Sequence, residues 1–121
     1  MSAQVVRASE LEAFDFGDLA ITDYTAGQGT TSSIAVIDVP AGAAHPAAYS
    51  DASDKYYLVL SGAVTFRTVG QEVTLRALDL LISPRGTEFA YASTGGPAQI
   101  VLVHTPPFQA DAETFTDGPK P

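Results

Sequence analysis

Short runs of β-branched and aromatic residues, broken at near-regular intervals by glycine and proline, constrain this chain more than any other feature. Residues of these types favour strands, in which successive side chains point to opposite faces. Many short strands with Gly and Pro turns are typical of an all-β sandwich or barrel. The sequence predicts strands at residues 19–25, 33–39, 55–60, 63–69, 72–76, 80–82, 88–92 and 99–104.

The pattern of the remaining chain indicates one domain. No stretch of about 12 residues has an amphipathic helical stripe, and only residues 10–14 are expected to form a helical turn. No repeat or linker divides the 121 residues. We therefore expect a single domain over residues 1–121, with a barrel core at about 19–108 and a flexible tail at 109–121 that is rich in proline and acidic residues.

Charge and composition exclude several classes of protein. The formal net charge is -8 and no basic stripe offsets it, so nucleic acid is not an expected partner. The chain has no cysteine, which excludes disulfides and cysteine-ligated zinc. No apolar run approaches the ~18–20 residues of a membrane helix, and residues 1–4 do not open a secretory signal. We expect a cytoplasmic protein without a membrane partner.

Two stretches carry a family resemblance. Residues 40–62 resemble the first motif of the cupin family, in which a glycine precedes His-x-His, a glutamate and a strand that ends in glycine. Residues 78–89 resemble the second cupin motif, Gly-Asp-x4-Pro-x-Gly-x2-His, with Leu78 in place of its opening glycine. Residues 101–108 are similar to the last strand of small cupins. The resemblance implies a cupin jelly-roll β-barrel.

The positions that bind metal in this family hold unsuitable residues. By the resemblance, the two histidines of the first motif fall on Ala48 and Ser50, the glutamate on Lys55, and the last histidine on Phe89. A methyl group, an ammonium and a phenyl ring offer no lone pair at neutral pH, and a lone serine is a poor ligand. We therefore expect no metal and no other cofactor, and the family's metal-dependent activities are not carried over.

The chain has two histidines, His45 and His104. His45 has the opposite strand parity to the ligand positions, so we expect it to face away from the cavity unless a bulge near Pro46 turns it inward. His104 ends the last strand, where it is expected to contact a ligand or to be a hydrogen-bonded wall residue. A metal site rebuilt from these histidines with Asp51 or Asp54 is an open alternative.

Alternation places Lys55 and Tyr57 on the face that lines the cavity in cupins. The same reasoning places Phe66, Phe89 and Tyr91 on the inner face. Burial disfavours the ammonium, so Lys55 is a candidate general base, Schiff-base nucleophile or, if charged, oxyanion partner. Alternatively, it pairs with Asp51 or Asp54 at the barrel mouth. Tyr57 and Tyr91 are the other candidate catalytic residues. The predicted substrate contacts are Tyr49, Ser50, Phe66, Phe89, His104 and Arg85.

Three functions fit this pattern. The first is a metal-independent enzyme that acts on a small, largely apolar molecule by acid–base chemistry of the isomerase, cyclase or lyase type. The resemblance adds a possible place in specialised metabolism. The second is a non-catalytic cupin that binds or senses a small ligand, and the third is a cupin with the rebuilt metal site. A homodimer is expected, because cupins commonly pair through their outer sheets.

Overall fold

The computed structural model describes residues 2–121 and contains eleven strands in two antiparallel sheets. The arrangement confirms the prediction of an all-β barrel. The strands are β1 (Phe14–Phe16), β2 (Leu19–Asp23), β3 (Ser33–Val39), β4 (Ala44–Ser50), β5 (Asp54–Ser61), β6 (Ala63–Thr68), β7 (Gln71–Arg76), β8 (Leu80–Ser83), β9 (Phe89–Ser93), β10 (Ala98–Thr105) and β11 (Glu113–Phe115).

One sheet has six strands in the order β1-β2-β3-β10-β5-β8, and the other has five in the order β11-β4-β9-β6-β7. The eight predicted strands correspond to β2, β3 and β5 to β10, with ends that differ by at most two residues. Within residues 2–121, the helical segments are two three-residue 3₁₀ turns, and no helix is long and apolar enough to cross a membrane.

The hydrophobic core lies between the two sheets. In β5, Tyr57 and Val59 are buried, whereas Tyr56 and Leu58 on the opposite face are only half-buried. Side chains from other strands, such as Ile100 of β10, complete the same cluster. Burying an aliphatic side chain of this size contributes about 1.5–3 kcal/mol, so the inward face of each strand is strongly specified.

β4 contains a bulge that the sequence pattern did not assign. His45 is opposite Tyr91 of β9, but Ala48 is opposite Phe89, so three steps along β4 match two along β9. The extra residue lies beside the exposed Pro46, and proline is common at bulges because it cannot donate a ladder hydrogen bond. His45 and Ala48 therefore both face inward. The expectation that His45 faces away from the cavity is wrong, and the bulge considered near Pro46 is the reason.

The N-terminal helical turn lies earlier in the chain than the sequence predicted. The 3₁₀ turn spans Ala8–Glu10 rather than residues 10–14, and Phe14 begins β1. β1 pairs with β2, with Phe16 opposite Leu19. Gly17, in the tight turn between the two strands, has the positive φ that glycine favours. The turn folds β1 back on β2, and the hairpin brings Phe16 to the barrel.

The C-terminal segment differs from the flexible tail expected at 109–121. Residues 113–115 form β11, which pairs with β4 through the register Glu113 to Ser50 and Phe115 to Ala48. Backbone hydrogen bonds flank the pairing, from Asp51 N to the Ala112 carbonyl and from Thr116 N to the Ala47 carbonyl, each 3.0 Å long. β11 thus covers what would otherwise be an exposed edge of the five-stranded sheet.

The outer face of the six-stranded sheet carries apolar side chains in two cross-strand rows, here called the apolar rows. Each row crosses β3, β10, β5 and β8, and the members on β8 are exposed. One row consists of Val36, Val101, Leu58 and Leu80, and the other of Ile34, Val103, Tyr56 and Ile82.

Candidate active site

A cavity of about 350 Å³ is lined by side chains from both sheets. Its size lies in the range of small-molecule sites, about 300–1,000 Å³. Apolar and aromatic groups form most of the wall, and β1 and β11 contribute Phe14, Phe16 and Phe115. The polar side chains that line it are Asp23, Ser33, His45, Lys55, Tyr57, Tyr91, His104 and Glu113.

Lys55 forms an ion pair with Glu113 inside this cavity. Lys55 Nζ lies 2.5 Å from Glu113 Oε1, and the two side chains are 5% and 13% exposed. The expected pairing with Asp51 or Asp54 is wrong, because Asp54 Oδ1 instead accepts a hydrogen bond from Arg85 N. A carboxylate offsets the cost of burying the ammonium. The geometry thus favours a charged lysine that is paired with Glu113 over the Schiff-base nucleophile.

His45 is stacked among aromatic rings. Its ring centroid lies 5.2 Å from that of Phe16 and 5.1 Å from that of Tyr91, with interplanar angles of 18° and 17°. Nδ1 donates to the Pro46 carbonyl at 2.7 Å, so Nδ1 carries the proton and Nε2 has the free lone pair. Burial, aided by the charge of Lys55 and opposed by the Pro46 hydrogen bond, lowers the pKa of His45 to about 4. His45 is therefore a neutral base at pH 7.

Tyr57 and Tyr91 are fully buried phenols. Burial is the main cause that raises the pKa of Tyr57 well above its usual value, and Tyr91 and Glu113 raise it further. Burial also raises the pKa of Tyr91. Both hydroxyls are consequently protonated over the physiological range, and each can donate a hydrogen bond to an oxygen in the cavity.

His104 is a second neutral imidazole. Burial lowers its pKa to about 4, Lys55 lowers it further, and Asp23 acts in the opposite direction. Its ring packs edge-to-face on Phe108, with centroids 5.2 Å apart. His104 lines the cavity and adds a polar nitrogen to an aromatic wall.

Three buried polar atoms at this cavity have no hydrogen-bond partner within residues 2–121. They are the Tyr91 hydroxyl, His104 Nε2 and Glu113 Oε2. Buried polar atoms in native proteins are nearly always paired, because leaving one unpaired costs about 1–3 kcal/mol. Three such atoms on the wall of one cavity therefore identify the polar groups that a bound molecule would contact.

Five predicted substrate contacts lie outside the cavity. Phe66 and Phe89 pack around the Tyr57 ring, with centroids 5.2 and 5.4 Å from it, and belong to the core. Alternation had assigned both residues to the inner face, which is correct. At their depth in the barrel, however, packed core side chains occupy the interior and leave no cavity. The remaining three are Tyr49, Ser50 and Arg85.

These three residues have local structural roles. Ser50 Oγ accepts hydrogen bonds from the backbone N–H groups of Ala52 and Ser53, at 3.2 and 3.1 Å. Tyr49 is half-buried on β4 opposite Thr114. Arg85 is exposed in the turn after β8, where its backbone N–H donates to Asp54. None of these three predicted substrate contacts lines the cavity.

Glu113, Phe16 and Phe115 were not predicted to line the cavity. Phe16 and Phe115 stack on each other, with centroids 5.8 Å apart, and both lie near His45. One signal could have identified Glu113: a lysine on the inner face of a barrel needs a carboxylate, and Glu113 is an acid in an alternating Glu-Thr-Phe-Thr stretch.

The residues at the family's metal positions do not fit a metal ion. The side chains of Ala48 and Phe89 and the ammonium of Lys55 have no lone pair to donate to a metal ion. The hydroxyl oxygen of Ser50 accepts hydrogen bonds from two backbone N–H groups. Residues 2–121 contain no group of three or more His, Asp or Glu side chains that could hold a metal ion, so the rebuilt site is not formed.

Comparison with known proteins identifies the fold family. The family model described as "Cupin domain" matches residues 35–104. The sequence has no significant match among curated proteins. Among solved structures, Streptomyces Pac13 with uridine is similar, with 22% identity, a TM-score of 0.83 and coverage of 99% of this chain and 95% of that chain. Pac13 is described as a nucleoside dehydratase.

Two further structures share the fold at lower identity. KdgF from Halomonas sp. is 14% identical, with a TM-score of 0.79 and coverage of 91% of this chain and 98% of that chain. The polyketide cyclase RemF from Streptomyces resistomycificus is 12% identical, with a TM-score of 0.75 and coverage of 86% and 80%. Because the family match spans more than half of the chain and its structural neighbours have the same barrel, this protein belongs to the cupin family.

Proposed function

We propose that this cupin is a metal-independent lyase that removes water from a small hydroxy-carbonyl compound with a planar, largely apolar part. The observation that carries the proposal is the neutral Nε2 of His45 beside protonated phenols and a paired ammonium in one cavity. A base and hydrogen-bond donors to an oxyanion are the two groups that proton abstraction next to a carbonyl requires.

The reaction divides between these groups as follows. His45 Nε2 takes the proton from the carbon next to the carbonyl, and the electrons of the C–H bond pass to the carbonyl oxygen as an enolate. The hydroxyl of Tyr91, which has no protein partner, stabilises that oxygen by donating a hydrogen bond. The enolate then reforms the carbonyl, a C=C bond forms, and the β-hydroxyl leaves with the proton from His45 as water.

The similarity to Pac13 supports the choice of dehydration over isomerisation or cyclisation. Structures of Pac13 with uridine include variants in which a tyrosine is replaced by phenylalanine and one in which a histidine is replaced by glutamine. Two histidines, His45 and His104, and two tyrosines also line the cavity of this chain. At 22% identity the likeness shows the fold and not the substrate. Nucleoside-like compounds are therefore only the first group of compounds to test.

The test uses a panel of β-hydroxy aldehydes and ketones with heterocyclic or aryl parts, incubated in D₂O. Proton NMR reports deuterium exchange at the carbon next to the carbonyl, and ultraviolet absorbance reports the unsaturated product. We expect both signals for at least one compound. Binding without exchange or turnover would instead support the alternative of a non-catalytic binding or sensing cupin.

Variants assign the roles. His45→Gln should lower kcat/KM by about 10²–10⁴-fold, because it removes the base. Tyr91→Phe should lower kcat with little effect on folding, since its hydroxyl has no protein partner. Tyr49→Phe is the matched control, because Tyr49 lies outside the cavity, and it should leave the rate unchanged. A wild-type rate in His45→Gln would refute the assignment of the base.

A further inference from the structure

The cavity has no positive charge available to an anion. Lys55 is the one lysine or arginine that lines it, and Glu113 already neutralises its ammonium. His45 and His104 are uncharged at pH 7 because burial lowers the pKa of each to about 4. Asp23 also lines the wall. The polar groups of the cavity therefore carry a net negative charge at neutral pH.

An anionic ligand would meet two penalties in this cavity. A carboxylate or phosphate would lose its hydration in a mostly apolar chamber, and it would lie beside the carboxylate of Glu113. It could gain the ammonium of Lys55 only by displacing Glu113 from a 2.5 Å contact. The protein's net charge of -8 adds a long-range repulsion.

The unpaired atoms define what an uncharged ligand should offer. Glu113 Oε2 is buried without a partner, and a carboxylate oxygen only accepts hydrogen bonds. It therefore calls for a ligand hydroxyl or N–H group. The unpaired hydroxyl of Tyr91 can donate to a ligand oxygen in the same cavity.

We propose that the site selects uncharged molecules that donate a hydroxyl or N–H hydrogen bond to Glu113 Oε2, and that it excludes their phosphorylated or carboxylated counterparts. This inference rests on the proposed function only for the location of the site, because it names the class of substrate and its test measures binding. The ion pair thus acts as a filter for ligand charge as well as a structural contact.

Binding is measured by ligand-observed NMR with matched probe pairs that differ in one charged group. Two such pairs are uridine with uridine 5′-monophosphate, and 2-phenylethanol with phenylacetate. We expect the neutral member of at least one pair to bind and its anionic partner to bind at least 10-fold more weakly. Equal or tighter binding of the anionic members, or no binding of any neutral member, would overturn the proposal.

Variants of Glu113 separate charge from shape. Glu113→Gln keeps the shape but frees the ammonium, so it should weaken the neutral probe and bring the anionic probe to equal or tighter affinity. Adding Lys55→Met to Glu113→Gln should abolish that gain. Glu113→Asp retains the charge, should still exclude the anion, and serves where Glu113→Gln folds poorly. An unchanged preference in both Glu113→Gln and the double variant would also overturn the proposal.

Failure of this inference can be distinguished from failure of the proposed lyase activity. Neutral-selective binding without exchange or turnover of any hydroxy-carbonyl probe would refute the activity and leave the charge filter intact. Turnover of an anionic hydroxy-carbonyl compound at a rate equal to its neutral analogue would support the activity and refute the filter.

Discussion

Lys55 of β5 and Glu113 of β11 form a buried ion pair across the barrel although they are 58 residues apart in the sequence. The contact joins the six-stranded sheet to the last strand of the five-stranded sheet. It also places an ammonium next to the neutral His45, whose pKa it helps to lower. One pair therefore affects the folding of the C-terminal segment, the charge of the cavity and the state of the base.

Removing one partner of this pair should strongly destabilise the protein. Lys55→Met leaves a buried carboxylate without its counter-charge, which typically costs about 3–5 kcal/mol. The double variant Lys55→Met/Glu113→Gln should lose less than the sum of the two single variants, since neither charge is then left unpaired. Urea unfolding gives the three free energies.

The exposed pair of Arg67 and Glu72, whose charged atoms are 3.5 Å apart, provides the control for that experiment. Arg67→Met should change the free energy of unfolding by less than about 1 kcal/mol, because exposed pairs are screened by water. Additive effects of the Lys55 and Glu113 variants would contradict the assigned coupling.

Stability should fall as the pH is lowered from about 6.5 toward 4. The pKa values of His45 and His104 are lowered from 6.5 to about 4, so between these values the unfolded chain binds protons that the folded chain does not. Their stabilisation is complete above pH 6.5 and should decrease by about 2 kcal/mol for each histidine by pH 5. Urea midpoints at pH 7.5 and 5 measure the loss, and an equal loss in His45→Gln/His104→Gln would exclude these histidines as its cause.

The pH dependence of kcat/KM should report the same low pKa of His45. Because burial lowers the pKa of His45 to about 4, the base remains unprotonated well below the usual histidine range. We expect kcat/KM for an active hydroxy-carbonyl substrate to be level from pH 8 to about 5 and to fall below that. An acid limb centred near 6.5 would indicate a solvent-exposed base and contradict the assignment.

Leu78 is a position at which the native residue is strained. Its φ is +71°, its side chain is 76% exposed, and its backbone N–H donates to the Val59 carbonyl at 2.7 Å. Leu78→Gly should stabilise the protein by about 1 kcal/mol, because glycine adopts this conformation without strain. Leu78→Ala keeps a Cβ and should give no such gain. Thermal and urea unfolding compare the two, and a destabilised Leu78→Gly variant would contradict the prediction.

We propose that a second copy of this chain covers the apolar rows. The rows lie on one sheet face, contain no charged side chain, and extend to exposed residues on the edge strand β8. Such a face suits sheet-on-sheet packing about a two-fold axis, in which each copy buries the same residues. The row members are exposed or half-buried, and large contiguous apolar patches are uncommon on the surface of a monomer.

Sedimentation velocity tests the homodimer. The wild-type chain should sediment as a dimer, and Ile82→Lys should sediment as a monomer, since it places a charge at the end of one row. Val69→Lys is the control, because Val69 is exposed in the turn between β6 and β7 and lies outside the rows. A wild-type monomer at all concentrations would exclude this interface.

Local pattern was sufficient to predict most of the barrel. Alternation and turn residues identified eight strands, and the motif spacing around Gly42, Gly62 and Gly86 identified the family. β4 was not predicted, because its Ala-His-Pro-Ala-Ala stretch lacks the β-branched residues of the other strands. β11 was not predicted because a three-residue strand is specified by its partner β4 and by Lys55, and neither is close in sequence.

The candidate site was predicted only in part, because strand parity has two physical limits. Strand parity assigned Lys55, Tyr57 and Tyr91 to the interior, where they lie, but parity does not tell how deep in the barrel a residue is. Phe66 was therefore expected at the substrate although it packs in the core. Parity also fails across a bulge, and a single extra residue placed His45 on the opposite face from the one expected.

The bulge in β4 makes strand pairing itself a determinant of chemistry. If β4 paired with β9 residue for residue, without the bulge, His45 and Ala48 would face opposite sides of the strand and the imidazole would lie on the solvent side. The formation or loss of this bulge is thus a simple evolutionary route by which a cupin could gain or lose an organic base. Alignments of such proteins should allow a gap there before any histidine is matched to a metal-binding column.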